Sequence, residues 1–198
     1  VSSLSAAQVD GQIKASRYFY IPGFIWRMAE GIGIVIKLGR YVSVHPAQNC
    51  AFCMSFSSSD VVRSCRDEIS ACLQYVDFLF LNRAEARAFA VSKWGDDEMH
   101  EEEVAEKLAA VGKASGARPR VVLVTCGCDP TVIAIGGMPA HFKVPVEPLP
   151  SHEIVDTSGA GDAFLGGFVA LLSRLEAQMD AAKRESEYGP RGGKGLGL

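Results

Sequence analysis

Apolar residues in this chain fall into short unbroken runs, separated by stretches with helical spacing. Tyr18-Phe19-Tyr20-Ile21 and Ala51-Phe52-Cys53-Met54-Ser55-Phe56 read as strands. Residues 76–81 and Val121-Val122-Leu123-Val124-Thr125 read the same way. Residues 28–41 form a candidate helix that Gly31, Gly33 and Gly39 weaken. Val61, Val62, Cys65, Ile69 and Leu73 recur at helical spacing and predict a helix over 60–74. An alanine-rich helix is expected over 83–91. Trp94-Gly95-Asp96-Asp97 interrupts the pattern. A helix with an acidic first turn, which suits the helix dipole, is expected over 98–114. Residues 131–135 and 141–146 read as a hairpin pair, after which Pro145, Pro148 and Pro150 impose an extended path. Residues 154–156 lead as a strand into a glycine-rich turn, and 160–179 read as a long amphipathic helix.

This alternation of strand and helix predicts an α/β sandwich with a largely parallel sheet. The wholly apolar run at 121–124 suits a strand covered on both faces. The end differs: residues 189–198 hold five glycines, one proline and two basic residues. The expected division is therefore one domain over 1–180 and a disordered tail over 181–198.

Composition narrows the function classes. With 198 residues, 48% hydrophobic and 22% charged, a packed core is within reach. A net charge of -3 gives no electrostatic basis for binding nucleic acid or an anionic membrane. The longest apolar stretches, 18–26 and 32–36, are interrupted or bounded by Pro22, Gly33 and Lys37, so no membrane span is expected. The N-terminus lacks the basic flank and apolar run of a signal peptide, so a cytoplasmic protein is expected. Cys50, Cys53, Cys65, Cys72, Cys126 and Cys128 are spread through the chain and read as buried thiols rather than a zinc site or disulfide framework. Gly31-Ile32-Gly33 lacks the third glycine and the preceding strand of a dinucleotide loop. Glu101-Glu102-Glu103 reads as a solvated helix start, and His100 and His152 as surface residues.

The chemistry concentrates at Asp156-Thr157-Ser158-Gly159-Ala160-Gly161-Asp162. Gly159 and Gly161 let the backbone turn tightly, and a helix begins there. Its first N–H groups have no helical partner and converge where the dipole favours negative charge. That is an anion hole suited to a phosphoryl group in transfer. Asp162, in the first helical turn, can accept the proton of an attacking hydroxyl. The bland alternative is a glycine turn with an acidic helix start. The ordered series of strand, turn, aspartate and helix makes the chemical reading the stronger one.

This string, continued by Ala163-Phe164, resembles the C-terminal signature of the ribokinase-like, or PfkB, kinases. The resemblance implies a three-layer α/β/α sandwich with a mostly parallel sheet. It makes Asp162 the catalytic base and Gly159, Ala160 and Gly161 the anion hole. Residues 75–86 resemble the segment with the family's Asn-x-x-Glu motif, so Asn82 and Glu85 would help hold Mg2+ and phosphates, largely through water. Val121-Val122-Leu123-Val124-Thr125-Cys126-Gly127 is similar to the family's strand and Thr-x-Gly turn that contacts ATP, through Thr125 and Gly127.

Within the family the likeness is greatest to its adenosine-phosphorylating members, on Tyr20-Ile21-Pro22-Gly23-Phe24, residues 51–57, 75–86 and 153–157. It implies a monomer that transfers the γ-phosphate of ATP to the 5′-hydroxyl of adenosine, in purine salvage. A sugar kinase of the same family and a non-catalytic truncated kinase fragment are the alternatives. The resemblance places the family's N-terminal lid and early strands, and the segment completing the adenine site, outside this chain. Little turnover is therefore expected from the chain alone. Ser57-Ser58-Ser59 stands where these relatives have a Ser-Ala-Pro-like turn, and Cys128 where a basic residue often follows the Thr-x-Gly turn.

Overall fold

The computed structural model describes residues 6–45, 50–115 and 118–188. The chain divides into two compact units, Val1–Asp156 and Thr157–Leu198.

The first unit opens with helix α1 (Ala6–Ala15), then strand β1 (Tyr18–Ile21), helix α2 (Gly31–Val44) and strand β2 (Ala51–Ser55). Helices α3 (Ser59–Ser64) and α4 (Arg66–Cys72) lead to strand β3 (Phe78–Asn82), helix α5 (Arg83–Trp94) and helix α6 (Glu101–Ala110). Strands β4 (Val121–Cys126), β5 (Asp129–Ile135) and β6 (Phe142–Val144) complete it. The six strands lie in chain order in one sheet. β1 through β4 run parallel, and β5 and β6 return antiparallel. Parallel neighbours need helical crossovers, which α2 to α6 supply. Ala51, Phe52, Cys53 and Met54 are all fully buried, so both faces of β2 are covered.

Several expectations are refined. Residues 31–44 are helical despite their glycines, and two of those glycines are needed there. A Cβ on Gly39 would lie 2.6 Å from the Tyr75 ring, and one on Gly31 would lie 1.9 Å from the Ile25 carbonyl oxygen. The expected helix over 60–74 is broken at Cys65, whose backbone leaves the helical region (φ -124°, ψ 28°) between α3 and α4. Residues 154–156 form no strand: a short 3-10 turn at Ser151–Glu153 precedes them, and the sheet ends at β6. Pro145, Pro148 and Pro150 each remove a ladder donor from that path. Five of the six cysteines are buried thiols, while Cys128 is exposed. Glu101, Glu102 and Glu103 are not simply solvated, since they pair with Arg83, Lys143 and Lys107.

The second unit is built on α7 (Ala160–Tyr188), a helix of 29 residues. It runs past the expected start of the tail. The remaining tail, 189–198, lies outside the described residues. No described helix is both long and apolar enough to cross a membrane.

One buried polar network ties the first unit together. Arg120, fully buried, donates to the carbonyls of Leu73, Val76 (3.1 Å), Leu108 (2.8 Å) and Val111 (2.6 Å). The Leu73 and Leu108 carbonyls lie at helix ends and also accept from the backbone N–H groups of Val76 (3.0 Å) and Val111 (3.3 Å), so Arg120 reinforces those closing turns. Burial pulls the Arg120 guanidinium down to about 10, and the nearby Asp77 opposes that shift, so it stays charged at neutral pH. Asp77 accepts from the Phe52 N–H at 2.8 Å and from Lys113, which also donates to the Arg118 carbonyl at 2.8 Å. Replacing Arg120 with Met leaves four carbonyl partners without this donor. Arg120→Met is expected to lower unfolding free energy by about 3 kcal/mol or more. Urea titration reads this as a lower midpoint, and an unmoved midpoint rejects the role.

Candidate active site

In an open α/β sheet, ligands gather outside the carboxyl ends of the parallel strands. In the first unit that edge is formed by the ends of β1 to β4. Asn82 closes β3 and opens α5. Its Oδ1 accepts from the Glu85 N–H at 2.9 Å, while its own N–H donates to Glu85 Oε2 at 3.0 Å. This is a capping box, which satisfies two orphan donors reciprocally. The Asn82 Nδ2 adds a third bond, to Glu85 Oε1, at 3.0 Å. Glu85 is only 5% exposed. Burial raises its carboxyl above the usual range, and the bond from the Asn82 N–H partly offsets that rise.

Thr125 lies directly beside Asn82 in the parallel register of β3 and β4. After Cys126 the chain reverses through Gly127-Cys128 into β5, with Cys126 opposite Asp129. Gly127 has φ +68° at the first central position of this two-residue hairpin, where a primed turn favours glycine. Nothing lies within 4 Å of a Cβ built there, so the backbone face of the turn is open. The four residues that sequence marks for nucleotide and metal in this unit, Asn82, Glu85, Thr125 and Gly127, are thus brought to one sheet edge.

The remaining four belong to the second unit. Gly159 has φ +77° and a Cβ on it would meet nothing within 4 Å. The Ala160 N–H donates to the Thr157 carbonyl at 3.1 Å, closing the turn, and the Ala163 N–H donates to the Gly159 carbonyl at 2.9 Å as α7 begins. An anion drawing on the Ala160 amide would have to take it from Thr157. Gly161 and Asp162 follow within the first turn, and Asp162 is exposed.

Two features of the edge were missed by sequence reasoning. At the ends of β1 and β2, Tyr20 Oη and Ser55 Oγ lie 2.8 Å apart, Ser55 Oγ and Ser57 Oγ 3.1 Å apart, and the Gly23 N–H donates to Ser57 Oγ at 2.7 Å. Ser57 is the one described non-glycine residue with positive φ, +65°. The serine run marked the position but gave no sign of its partners. Arg83 is the second feature. It sits next to Asn82 and donates to both Glu101 and Asp129, at 3.0 and 2.8 Å. An arginine at a helix start carries no such signal in sequence. Beside it, a cleft of about 360 Å³ is lined by Arg83, Arg87, Asp97, Glu98, His100 and Glu101.

The donor set at Asn82 and Glu85 fits magnesium held through water. It offers hard oxygens, one amide and one carboxylate, and this ion keeps most of its waters. Both Glu85 oxygens already accept from Asn82, which leaves lone pairs for bridging water rather than an open inner-sphere bite. His100, Glu101 and Glu102 also lie close together, but Glu101 and Glu102 are engaged by Arg83 and Lys143.

Comparison with known proteins adds to this geometry. The model of the pfkB family of carbohydrate kinases matches residues 43–185. Adenosine kinase 1 of Arabidopsis thaliana is 37% identical over 162 residues, which cover 81% of this chain and 44% of that protein. Adenosine kinase of Schizophyllum commune is 33% identical over 172 residues, covering 86% and 48%. The crystal structure of Anopheles gambiae adenosine kinase in complex with P1,P4-di(adenosine-5) tetraphosphate superposes with a TM-score of 0.77 at 30% identity, covering 86% of this chain and 48% of that one. A probable sugar kinase from Rhizobium etli superposes with a TM-score of 0.62 at 25% identity, covering 83% and 45%. The chain spans about half the length of the curated relatives it matches.

The Glu85 environment sets a pH dependence. A carboxyl raised above its ordinary 4.5 adds stability in its protonated form, and that contribution is lost as pH rises through the raised value. Glu85→Gln retains an acceptor for the Asn82 N–H and cannot ionise. Relative to the parent, its melting temperature is expected to rise as pH increases from about 4.5 toward 7. A difference that stays constant across that range rejects the account.

Proposed function

The chain belongs to the pfkB family of carbohydrate kinases, and we propose that it serves ATP-dependent phosphorylation of adenosine at the ribose 5′-hydroxyl, yielding AMP and ADP. The observation that carries the phosphoryl-transfer reading is the turn at Gly159, with φ +77°, opening directly into α7 with Asp162 in its first turn. The identities of 33–37% to adenosine kinases support adenosine as the acceptor.

Asp162 takes the proton of the attacking hydroxyl as its oxygen bonds the γ-phosphorus and ADP leaves. The amides at Gly159 and Gly161, with that of Ala160 once it leaves the Thr157 carbonyl, hold the transferring group, aided by the positive end of α7. Thr125 and Gly127 contact ATP, the open backbone face at Gly127 admitting it closely. Asn82 and Glu85 would hold Mg2+ through its water shell, and the ion would supply charge neutralisation at the phosphates. We assign the protein to purine salvage in the cytoplasm, as a monomer. Six free thiols support a reducing compartment.

The test is transfer of labelled γ-phosphate from ATP to adenosine at high chain concentration, with ribose and fructose in parallel. Adenosine is expected to be the preferred acceptor, and preference for either sugar would shift the reading to a sugar kinase. In a version extended to the length of its relatives, Asp162→Asn is expected to lower turnover by roughly 10²–10⁴-fold while sparing ATP affinity. Near-parental turnover in that variant rejects Asp162 as the base.

A further inference from the structure

Asn82 and Glu85 sit at the β3–α5 junction, while Thr125 and Gly127 sit on β4 and its turn into β5. Backbone pairing joins the two groups only as far as Asn82 and Thr125, the last partners of that ladder. Beyond them the chains diverge, one into α5 and the other into the two-residue turn. Arg83 bridges that divergence. Its Nη2 lies 2.9 Å from Glu101 Oε1, at the start of α6, and 2.8 Å from Asp129 Oδ2, at the start of β5. Its Nε also donates to Glu101 at 3.0 Å. Cys126 Sγ, just before the turn, lies 3.8 Å from the same Glu101 oxygen. One guanidinium thus fastens the capping box, the α6 start and the far side of the Gly127 turn.

We propose that Arg83 is a positioning residue, a strap that holds the Thr125–Gly127 turn in register with the Asn82–Glu85 cap so that nucleotide and magnesium are met by both at once. This rests on the nucleotide-binding reading of that edge. The physical case is geometric. The turn has a glycine in a left-handed conformation at its tip and open space before it, so little packing fixes it. Asp129 is opposite Cys126 in the hairpin, so a bond to Asp129 fixes the returning strand where the register shifts between Val124 and Cys126. Arginine suits the task because its fork can donate to two carboxylates at once, which a lysine ammonium does with less geometric definition. The pair with Asp129 is half exposed, so the strap sets geometry more than global stability.

Two measurements on the full chain decide the matter. The first is amide hydrogen exchange without ligand, across 126–135 and across 82–90. Arg83→Ala is expected to speed exchange in the turn segment by about fivefold and to leave the mid-α5 amides unchanged. The second is MgADP affinity by calorimetric titration, expected to weaken by a similar factor of about five in Arg83→Ala. Arg83→Lys should fall between parent and alanine in both, and Asp129→Asn should reproduce the exchange change. Unchanged turn exchange in Arg83→Ala overturns the proposal, as does an affinity loss without an exchange change, which would make Arg83 a direct nucleotide contact. Failure of the unsubstituted chain to bind MgADP counts against the nucleotide reading, and the exchange measurement then decides Arg83 by itself.

Discussion

The first unit is organised around a charge with no access to water. Arg120 precedes β4, yet its side chain reaches four carbonyls contributed by α6, the segment after it, a 3-10 turn at Leu73–Tyr75 before β3, and Val76. A guanidinium in such a place is costly unless each donor meets an acceptor. Two of these carbonyls, of Leu73 and Leu108, also accept from the backbone N–H groups of Val76 and Val111, so the guanidinium adds to the bonds that close those segments. The arrangement meets that requirement and couples β3, β4 and α6 at the amino end of the sheet. Asp77 and Lys113 extend the network and fix Phe52 of β2 to it.

With the amino end fixed, the opposite end is free to differ. There β3 ends in a capping box, β4 in a tight hairpin, and β1 and β2 in a chain of hydroxyls around Ser57. These are polar devices set on a buried apolar base that includes Phe56, Leu81 and Cys126. They can be aimed at a ligand because their register is set elsewhere, by Phe78 to Asn82 pairing with Val121 to Thr125.

Sequence made the parallel part of the sheet legible because β1 to β4 are largely apolar runs, and the ends of β1 and β4 fall within a residue of where periodicity puts them. It placed α2 as a helix but underrated it, because glycine was weighed only as a helix breaker. Close approach to Tyr75 and Ile25 is a tertiary cause that propensity does not contain. The break at Cys65 was invisible for a similar reason, since apolar spacing continues straight through it. The Asp156–Asp162 turn could be read because its geometry is local: a positive-φ glycine, a helix start and an acid in a seven-residue string. The hydroxyl cluster and the Arg83 strap could not, because each joins residues 18 to 46 positions apart or more than 30 apart, and nothing in either partner marks the other. Asn82 was marked from sequence for a chemical role, and what local spacing did not reveal is its structural duty, capping α5 with Glu85.

The last strand sets a boundary of another kind. β6 is three residues long, exposed throughout, and followed at once by Pro145. Its Lys143 is held by Glu102 at 2.6 Å. A short edge carrying a charge and closed by a proline is a poor template for another strand. The sheet therefore terminates at β6 by design of its edge: the same residues that finish the hairpin also guard it against pairing with a neighbouring molecule.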